Sequence, residues 1–328
     1  MERINMLSII VLFCDKDMWH IPGLVEYIKE TCKGDYEVVL VDNRKEKNTP
    51  PPDTGWPVYE APGIGTFEGR RFALSKCRGK YVWFIDADDK ILDWSGFINP
   101  DEQDADFIFF NASELRDKRC GPVYDDNVPT VLIQTGKELH KNIRLEVSQE
   151  SFRHIYLPLW NKFIRLDFAR KVYAMVTPLP SVTDHEDSLM SAMLLKHAEY
   201  VSDWTDKTIY IYDSRNSTSS VGITPNIERY KRLNRGQQKL LEFARGHFTD
   251  AEWKRLGFDL YFYGDYYWRF RFLPSLPDKI EAIKFLAEEF SHENLLGIMK
   301  YAEQCDEFKY RRLMEKYLIR YCLPKVRY

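Results

Sequence analysis

The chain has 328 residues, of which 44% are hydrophobic and 30% are charged, as is typical of a folded protein with a sizeable core. A formal net charge of −3 excludes a strongly basic chain that nucleic acid would attract as a whole, so we expect no nucleic-acid partner. The six cysteines form no CxxC pair, which argues against a zinc site or a disulfide framework and fits a reducing compartment.

The first predicted element is a buried strand over residues 7–13, a nearly continuous apolar run rich in β-branched side chains. The run is too short to span a bilayer, and Asp15 follows it without a cleavage site, so we predict a strand in a cytoplasmic protein rather than a signal peptide. Residues 21–33 have apolar side chains at helical spacing, and a second buried strand is predicted at 36–41. This strand–helix–strand order predicts a parallel α/β sheet.

The alternation of strands and helices continues to about residue 110. After a charged, proline-rich loop, we predict a strand at 58–59, a helix over 66–77 capped by Thr66, and strands at 81–85 and 107–110. Ligands of such sheets bind at the carboxyl ends of the strands, where Asp42 and Asp86 fall. Helical periodicities then cover residues 227–246, 250–272, 278–290, 293–303 and 306–321. We therefore predict an α/β domain over residues 1–225 and a helical region over 226–328.

An acidic cluster, Asp86-Ala87-Asp88-Asp89, directly follows the predicted strand at 81–85. Three carboxylates in four residues repel one another, but they bind a hard divalent cation well and leave room for phosphate oxygens. The alternative is a solvated acidic turn that caps the next helix. The position at the end of a strand favours the cation site.

A second acidic cluster, Asp184-His185-Glu186-Asp187, opens an amphipathic helix. Helix capping by Asp184 accounts for one of these acids but not for all three. A carboxylate in a cleft can act as a general base. His185 belongs to no HExxH motif, and we interpret it as a polar neighbour rather than a metal ligand.

Two further segments combine aromatic or hydroxyl groups with a cation. In Trp160-Asn161-Lys162 the indole could stack on a sugar and the ammonium could meet a phosphate, although a core tryptophan beside a surface base is the favoured interpretation. Residues 212–220 form a predicted hydroxyl-rich loop that contains Arg215. An ordinary surface loop explains that segment equally well.

Taken in chain order, these segments resemble the family 2 glycosyltransferases of the GT-A fold. The segments that match the family's pattern are the strand at 7–13, Asp42, Gly69-Arg70-Arg71, Asp86–Asp89, Trp160–Asp167, Glu186-Asp187 and Arg215–Ser219. The resemblance covers roughly residues 5–220. It departs from the family where Leu12–Asp15 replaces Pro-Thr-Tyr-Asn, where Asn43-Arg44-Lys45 replaces a short Gly-Ser turn, and where Arg71 replaces Asn.

The resemblance implies a GT-A-like, mostly parallel mixed sheet with flanking helices. It also implies an inverting enzyme of surface polysaccharide synthesis that moves a sugar from a nucleoside-diphosphate donor, most often UDP-linked, to a saccharide or lipid-linked acceptor. The implied roles are Asp42 toward the base, Arg70, Phe13 and Asp15 in the donor site, Asp86 toward ribose or metal, and Asp88 on Mn²⁺ or Mg²⁺. Asp187 would be the catalytic base supported by Glu186, with Trp160, Lys162 and Arg215 toward the acceptor or the diphosphate.

Three other interpretations compete with this one. A sugar-nucleotidyltransferase would need a glycine-rich basic loop after the first strand, and Phe13–Asp17 contains no glycine. An aspartate-based phosphatase usually carries its nucleophile on the first strand, unlike Asp86. A non-catalytic sugar-nucleotide-binding module would not need the acids that are present at 86, 88 and 187.

The C-terminal segment, residues 305–328, alternates basic with aromatic and aliphatic residues. This is the pattern of an interfacial helix on the inner face of a membrane. Glu303, Asp306, Glu307 and Glu315 dilute the positive charge and favour a helix packed on the protein instead. An anchor would make the full-length chain co-sediment with anionic liposomes at low salt, whereas a chain ending at Gln304 would stay in the supernatant. If neither form co-sediments, the segment has a structural role.

Overall fold

A computed structural model describes residues 7–46, 49–94, 105–115, 158–177, 179, 186–199, 201–213, 226–258, 273 and 275–289. Contacts divide the chain into two compact units, Met1–Pro178 with Met190–Thr218, and Leu179–Leu189 with Ser219–Tyr328. The boundary expected near residue 225 remains a prediction, and the contacts additionally assign Leu179–Leu189 to the second unit. The C-terminal segment and Arg215 lie outside the described residues.

In the described part of the first unit the strands form one eight-stranded sheet, with the order β3-β2-β1-β4-β7-β6-β8-β5. Its strands are β1 (Leu7–Phe13), β2 (Tyr36–Asp42), β3 (Val58–Glu60), β4 (Tyr81–Ile85), β5 (Lys90–Ile91), β6 (Phe107–Leu115), β7 (Lys162–Arg165) and β8 (Val201–Asp213). The continuous apolar runs of β1 and β4 are buried along almost their whole length because helices cover both faces of such a sheet. The predicted mostly parallel, mixed sheet is confirmed.

Strand β7 reverses direction in the middle of the sheet. It pairs antiparallel with both β4 and β6, while β6 pairs parallel with β8. Two reversals restore the original direction, so β6 and β8 run the same way as β1 to β4. The carboxyl ends of β1, β2, β4 and β8 and the amino end of β7 therefore share one edge of the sheet, called here the carboxyl edge.

The helices are α1 (Ile21–Thr31), α2 (Thr66–Lys76), α3 (Leu166–Met175), α4 (Glu186–His197), α5 (Ile227–Ala244), α6 (Asp250–Phe258) and α7 (Leu276–Glu289). The predicted capping role of Thr66 is wrong, because Gly65 occupies the cap position with φ 85°, a conformation that side chains with a Cβ rarely adopt. The sequence patterns did not predict β5, β7, α3 or β8. The predicted loop at 212–220 begins within β8.

Aromatic side chains fill the centre of the first unit. The Trp83 ring meets Phe110 and Phe163 edge-on at centroid distances of 5.4 and 5.0 Å, a favourable geometry for aromatic pairs. Its indole N–H donates to the Trp160 carbonyl at 2.6 Å, which satisfies the polar atom of a fully buried side chain. The aromatic core joins β4, β6 and β7 and holds the start of β7 in place.

In the second unit, α5 contacts both α6 and α7. The indole N–H of Trp253 on α6 donates to the Leu241 carbonyl at 2.7 Å, and Phe285 on α7 meets Tyr230 on α5 edge-on at 6.5 Å. None of the helices in the described ranges is both long enough and apolar enough to cross a bilayer.

A close approach at Gly79 gives a stability test. A Cβ on Gly79 would lie 2.7 Å from the Ser8 backbone nitrogen and 2.9 Å from the Leu7 carbonyl carbon, so Gly79→Ala must displace backbone and is expected to cost about 1–3 kcal/mol. A Cβ on Gly23, within α1, meets nothing within 4 Å, and Gly23→Ala is expected to stabilise by about 0.5–1 kcal/mol. Urea denaturation measures both, and equal effects of the two variants would contradict the described packing.

Candidate donor site at the carboxyl edge

The acidic turn Asp86–Asp89 lies at the carboxyl end of β4, where Asp86 and Asp88 are half-buried and Asp89 is buried. Burial, followed by the charge of Asp86, raises the pKa of Asp88 to about 6 and that of Asp89 to about 8. Asp17, from the turn after β1, adds further negative charge near Asp88. A bound cation would therefore stabilise the charged forms of the acids at this edge.

The ligand atoms that this turn offers fit a hard divalent ion, because Asp86 and Asp88 present carboxylate oxygens from one strand end. Among the described residues, no group of three or more His, Cys, Asp or Glu side chains forms a ready-made metal site. Such an ion would need oxygens from a ligand as well, and a diphosphate supplies them. The metal site therefore remains a prediction tied to a phosphate-bearing ligand.

Asp89 has a different environment from the other two acids. Its Oδ1 accepts the Asp213 backbone N–H at 2.7 Å, and its Oδ2 accepts the Tyr210 hydroxyl. Tyr210 and Asp213 belong to β8, whose carboxyl end reaches this edge because β7 reverses the sheet. In the sequence Asp89 is one of three clustered acids, and in the structure it joins the turn to β8.

The strand-end acid Asp42 is fully buried and paired with Arg44. Its two oxygens lie 2.9 Å from Arg44 Nε and 2.7 Å from Nη2, and the Arg44 backbone N–H also donates to it at 3.1 Å. Hydrogen bonding to Asp42 raises the pKa of Arg44. The guanidinium also donates to the Thr49 carbonyl at 2.9 Å, so the pair fastens the loop after β2.

The other predicted donor-site residues lie around the same edge. Phe13, the last residue of β1, points its side chain into the core, whereas Asp15 is exposed at the start of a short 3₁₀ turn. Arg70 on α2 is half-buried, with its guanidinium 5.8 Å from the Phe84 ring centroid. Their roles toward a nucleotide remain predictions.

Trp160 and Lys162 are both held at the start of β7. The Trp160 ring lies parallel to Tyr210 at 4.6 Å and to Tyr212 at 6.0 Å. The expectation of a surface base is wrong, because the Lys162 side chain is fully buried and donates to the Asn161 side chain at 2.7 Å and to the Pro158 carbonyl. A buried ammonium needs such partners because it has left water.

Glu186 and Asp187 are the first residues of α4 and fall within the second unit. Glu186 is buried and Asp187 is half-buried, with its Oδ1 accepting the Ser188 backbone N–H at 2.8 Å. Carboxylates are favoured at this end of a helix by its dipole. Asp184 and His185 lie outside the described residues.

The buried Asp42–Arg44 pair generates a stability prediction. Asp42→Asn leaves the fully buried Arg44 guanidinium without its anionic partner, and the expected loss is about 3–5 kcal/mol, the usual cost of leaving a buried charge unpaired. Glu68→Gln removes a carboxylate from the exposed Arg71–Glu68 pair and is expected to cost less than about 1 kcal/mol. Chemical denaturation compares the two, and a small loss for Asp42→Asn would show that the pair is not a structural anchor.

Comparisons with known proteins identify solved structures that have a similar fold. The chain is similar to the crystal structure of S. aureus TarS 1–349 in complex with UDP-GlcNAc, with a TM-score of 0.60 and 18% identity over 95% of this chain and 91% of that chain. It is also similar to TarS 1–349 in complex with UDP, with a TM-score of 0.56 and 17% identity over the same shares. No protein-family model matches the sequence, and no curated protein matches it significantly. The expected GT-A-like fold is confirmed.

Proposed function

We propose that this chain is an inverting glycosyltransferase that moves a sugar from a nucleoside diphosphate, with UDP as the expected carrier, to an acceptor hydroxyl. The proposal rests on the acidic turn Asp86–Asp89 at the carboxyl edge of this fold. Sheets of this class bind ligands at that edge, and TarS, which has a similar fold, holds UDP-GlcNAc and UDP in its structures.

The donor would lie across the carboxyl edge. Asp88, with Asp86, would hold Mn²⁺ or Mg²⁺, which when bound supplies positive charge for the leaving diphosphate. Asp42 would face the base and Arg70 the rest of the donor. Because Asp42 already binds Arg44 through both oxygens, we expect this pair to act on the base as a unit.

The transfer needs a base because a sugar hydroxyl is a weak nucleophile. The acceptor oxygen forms a bond to the anomeric carbon while the bond from that carbon to the diphosphate oxygen breaks, and attack from the opposite face inverts the centre. Asp187 would receive the acceptor proton and Glu186 would support it. Trp160 and Arg215 would lie toward the acceptor or the diphosphate, whereas Lys162, which is buried and bound to Asn161 and Pro158, would hold the start of β7 in place.

The acceptor would be a saccharide or a lipid-linked saccharide of surface polysaccharide synthesis. A lipid-linked acceptor would require access to a membrane surface, which is the role expected of the C-terminal segment if it is an anchor. The donor sugar is best found by screening nucleoside-diphosphate sugars for release of the free nucleoside diphosphate.

A metal test follows from the acidic turn. Release of the nucleoside diphosphate should stop in excess chelator and return when Mn²⁺ or Mg²⁺ is added. Without the cation, the clustered carboxylates repel the diphosphate group of the donor. Asp88→Asn should lose at least about 10²-fold in release, a loss typical for one electrostatic group. Asp167→Asn is the matched control, since Asp167 is exposed next to the carboxyl end of antiparallel β7, at the opposite edge of the sheet. Full activity in chelator would rule out the metal role.

A separate test concerns the base. Asp187→Asn should retain donor affinity but reduce turnover by roughly 10²- to 10⁴-fold, the usual contribution of a general base. Asp250→Asn provides the control, because Asp250 is also a carboxylate in the first turn of a helix in the second unit, and its side chain is exposed. Wild-type turnover in Asp187→Asn would place the base elsewhere, with Glu186→Gln as the next variant. Donor binding by wild type without any release of diphosphate would favour the non-catalytic module.

A further inference from the structure

The Tyr210 hydroxyl occupies the space between the two ends of the acidic turn. It donates to Asp89 Oδ2 and accepts the Asp86 backbone N–H, whose nitrogen lies 3.3 Å away. One hydroxyl thus binds the first and last residues of Asp86-Ala87-Asp88-Asp89. A fully buried side chain that uses both its donor and an acceptor lone pair has a defined orientation.

Asp89 completes this arrangement from the other side. Its Oδ1 accepts the backbone N–H of Asp213, the last residue of β8, at 2.7 Å. Both carboxylate oxygens are therefore engaged by groups of β8, and the side chain is only 4% exposed. This geometry distinguishes Asp89 from Asp86 and Asp88, which are half-buried.

The ring of Tyr210 is fixed independently of its hydroxyl. Trp160 stacks on it at 4.6 Å with an interplanar angle of 6°, and Trp83 lies at 6.1 Å. The Trp160 carbonyl in turn accepts the Trp83 indole N–H. Loss of the hydroxyl alone would leave the ring in place and release only the turn, so the two contributions can be separated by experiment.

We propose that Tyr210 and Asp89 are positioning residues that hold Asp86 and Asp88 in the orientation in which the turn binds a divalent cation with a diphosphate. The inference rests on the proposed function. Without the Tyr210–Asp89 contacts, mutual repulsion would spread the carboxylates and the turn would have to be ordered by the ligand. Asp89 itself then holds the turn rather than the cation, although the sequence presents it as one of three equivalent acids.

The test compares UDP affinity in Mn²⁺ and in EDTA by calorimetry, using the full chain. The Kd for UDP in EDTA divided by the Kd in Mn²⁺, called here the affinity ratio, measures how much the cation strengthens UDP binding. A general loss of stability would leave this ratio unchanged. Tyr210→Phe should reduce the ratio by roughly tenfold, the equivalent of one hydrogen bond to a charged group. The Kd for UDP in EDTA should remain near the wild-type value.

Tyr81→Phe is the matched control. Tyr81 is also a fully buried tyrosine of this sheet, and its hydroxyl donates to the Ala105 carbonyl at 3.2 Å, at the amino end of β4 and away from the turn. Its loss should lower thermal stability about as much as Tyr210→Phe while leaving the affinity ratio at the wild-type value. Asp89→Asn offers a second variant, because one amide oxygen cannot replace two carboxylate acceptors, and its ratio should fall in the same direction.

The outcomes separate this inference from the proposed function. A wild-type chain that binds UDP more tightly with Mn²⁺, together with unchanged ratios in Tyr210→Phe and Asp89→Asn, overturns the positioning role alone. Equal losses of the ratio in Tyr210→Phe and Tyr81→Phe also overturn it, since the effect would then be general. A wild-type chain that binds no UDP with either addition overturns the proposed function and this inference with it.

Discussion

Electrostatic repulsion among the three acids after β4 is the constraint on which the candidate site depends. In water such a turn would be weakly ordered, but here burial raises the pKa values of Asp88 and Asp89 to about 6 and 8. The three acids differ in how their carboxylate groups are stabilised. Asp89 is satisfied by an O–H and an N–H of β8, whereas Asp86 and Asp88 lie at the edge where a cation could reach them.

The hydrogen bonds that Asp89 accepts from β8 depend on the topology of the sheet. Had β7 run parallel to β4, the carboxyl end of β8 would lie at the opposite edge, and neither Tyr210 nor Asp213 could reach the turn. The reversal also places Trp160 over Tyr210. A polar network at the edge is thus built on an aromatic core, and the rigid core keeps the polar groups in register.

The sequence predicts well the elements that depend on local pattern. Strands β1 and β4 are continuous apolar runs, and they begin and end at the predicted residues because burial on both faces leaves a strong signal. The first helix follows from apolar residues at helical spacing, and the strand-end position of the acidic turn follows from the apolar run of β4. The prediction of a mostly parallel α/β sheet therefore needed no long-range information.

Other features depend on partners that are distant in sequence. Strand β8 begins with a polar stretch, Ser202-Asp203, and its pairing with β6 decides its conformation more than its own pattern does. The alternation in Ile209–Tyr212 was the available signal for that strand. Lys162 resembles any surface lysine until the fold buries it beside Asn161. The difference in environment between half-buried Asp88 and buried Asp89 is likewise invisible in sequence, because both are aspartates in one turn.

The central claim is that the acidic turn holds a divalent cation together with a nucleoside diphosphate. Anomalous diffraction from crystals grown with Mn²⁺ and UDP tests it most directly, since the manganese signal locates the ion without assumptions about its ligands. We expect one strong peak within bonding distance of an Asp88 oxygen and of the diphosphate, with Asp89 still bound to Tyr210. A peak elsewhere, or UDP bound at the edge without any peak, would contradict it.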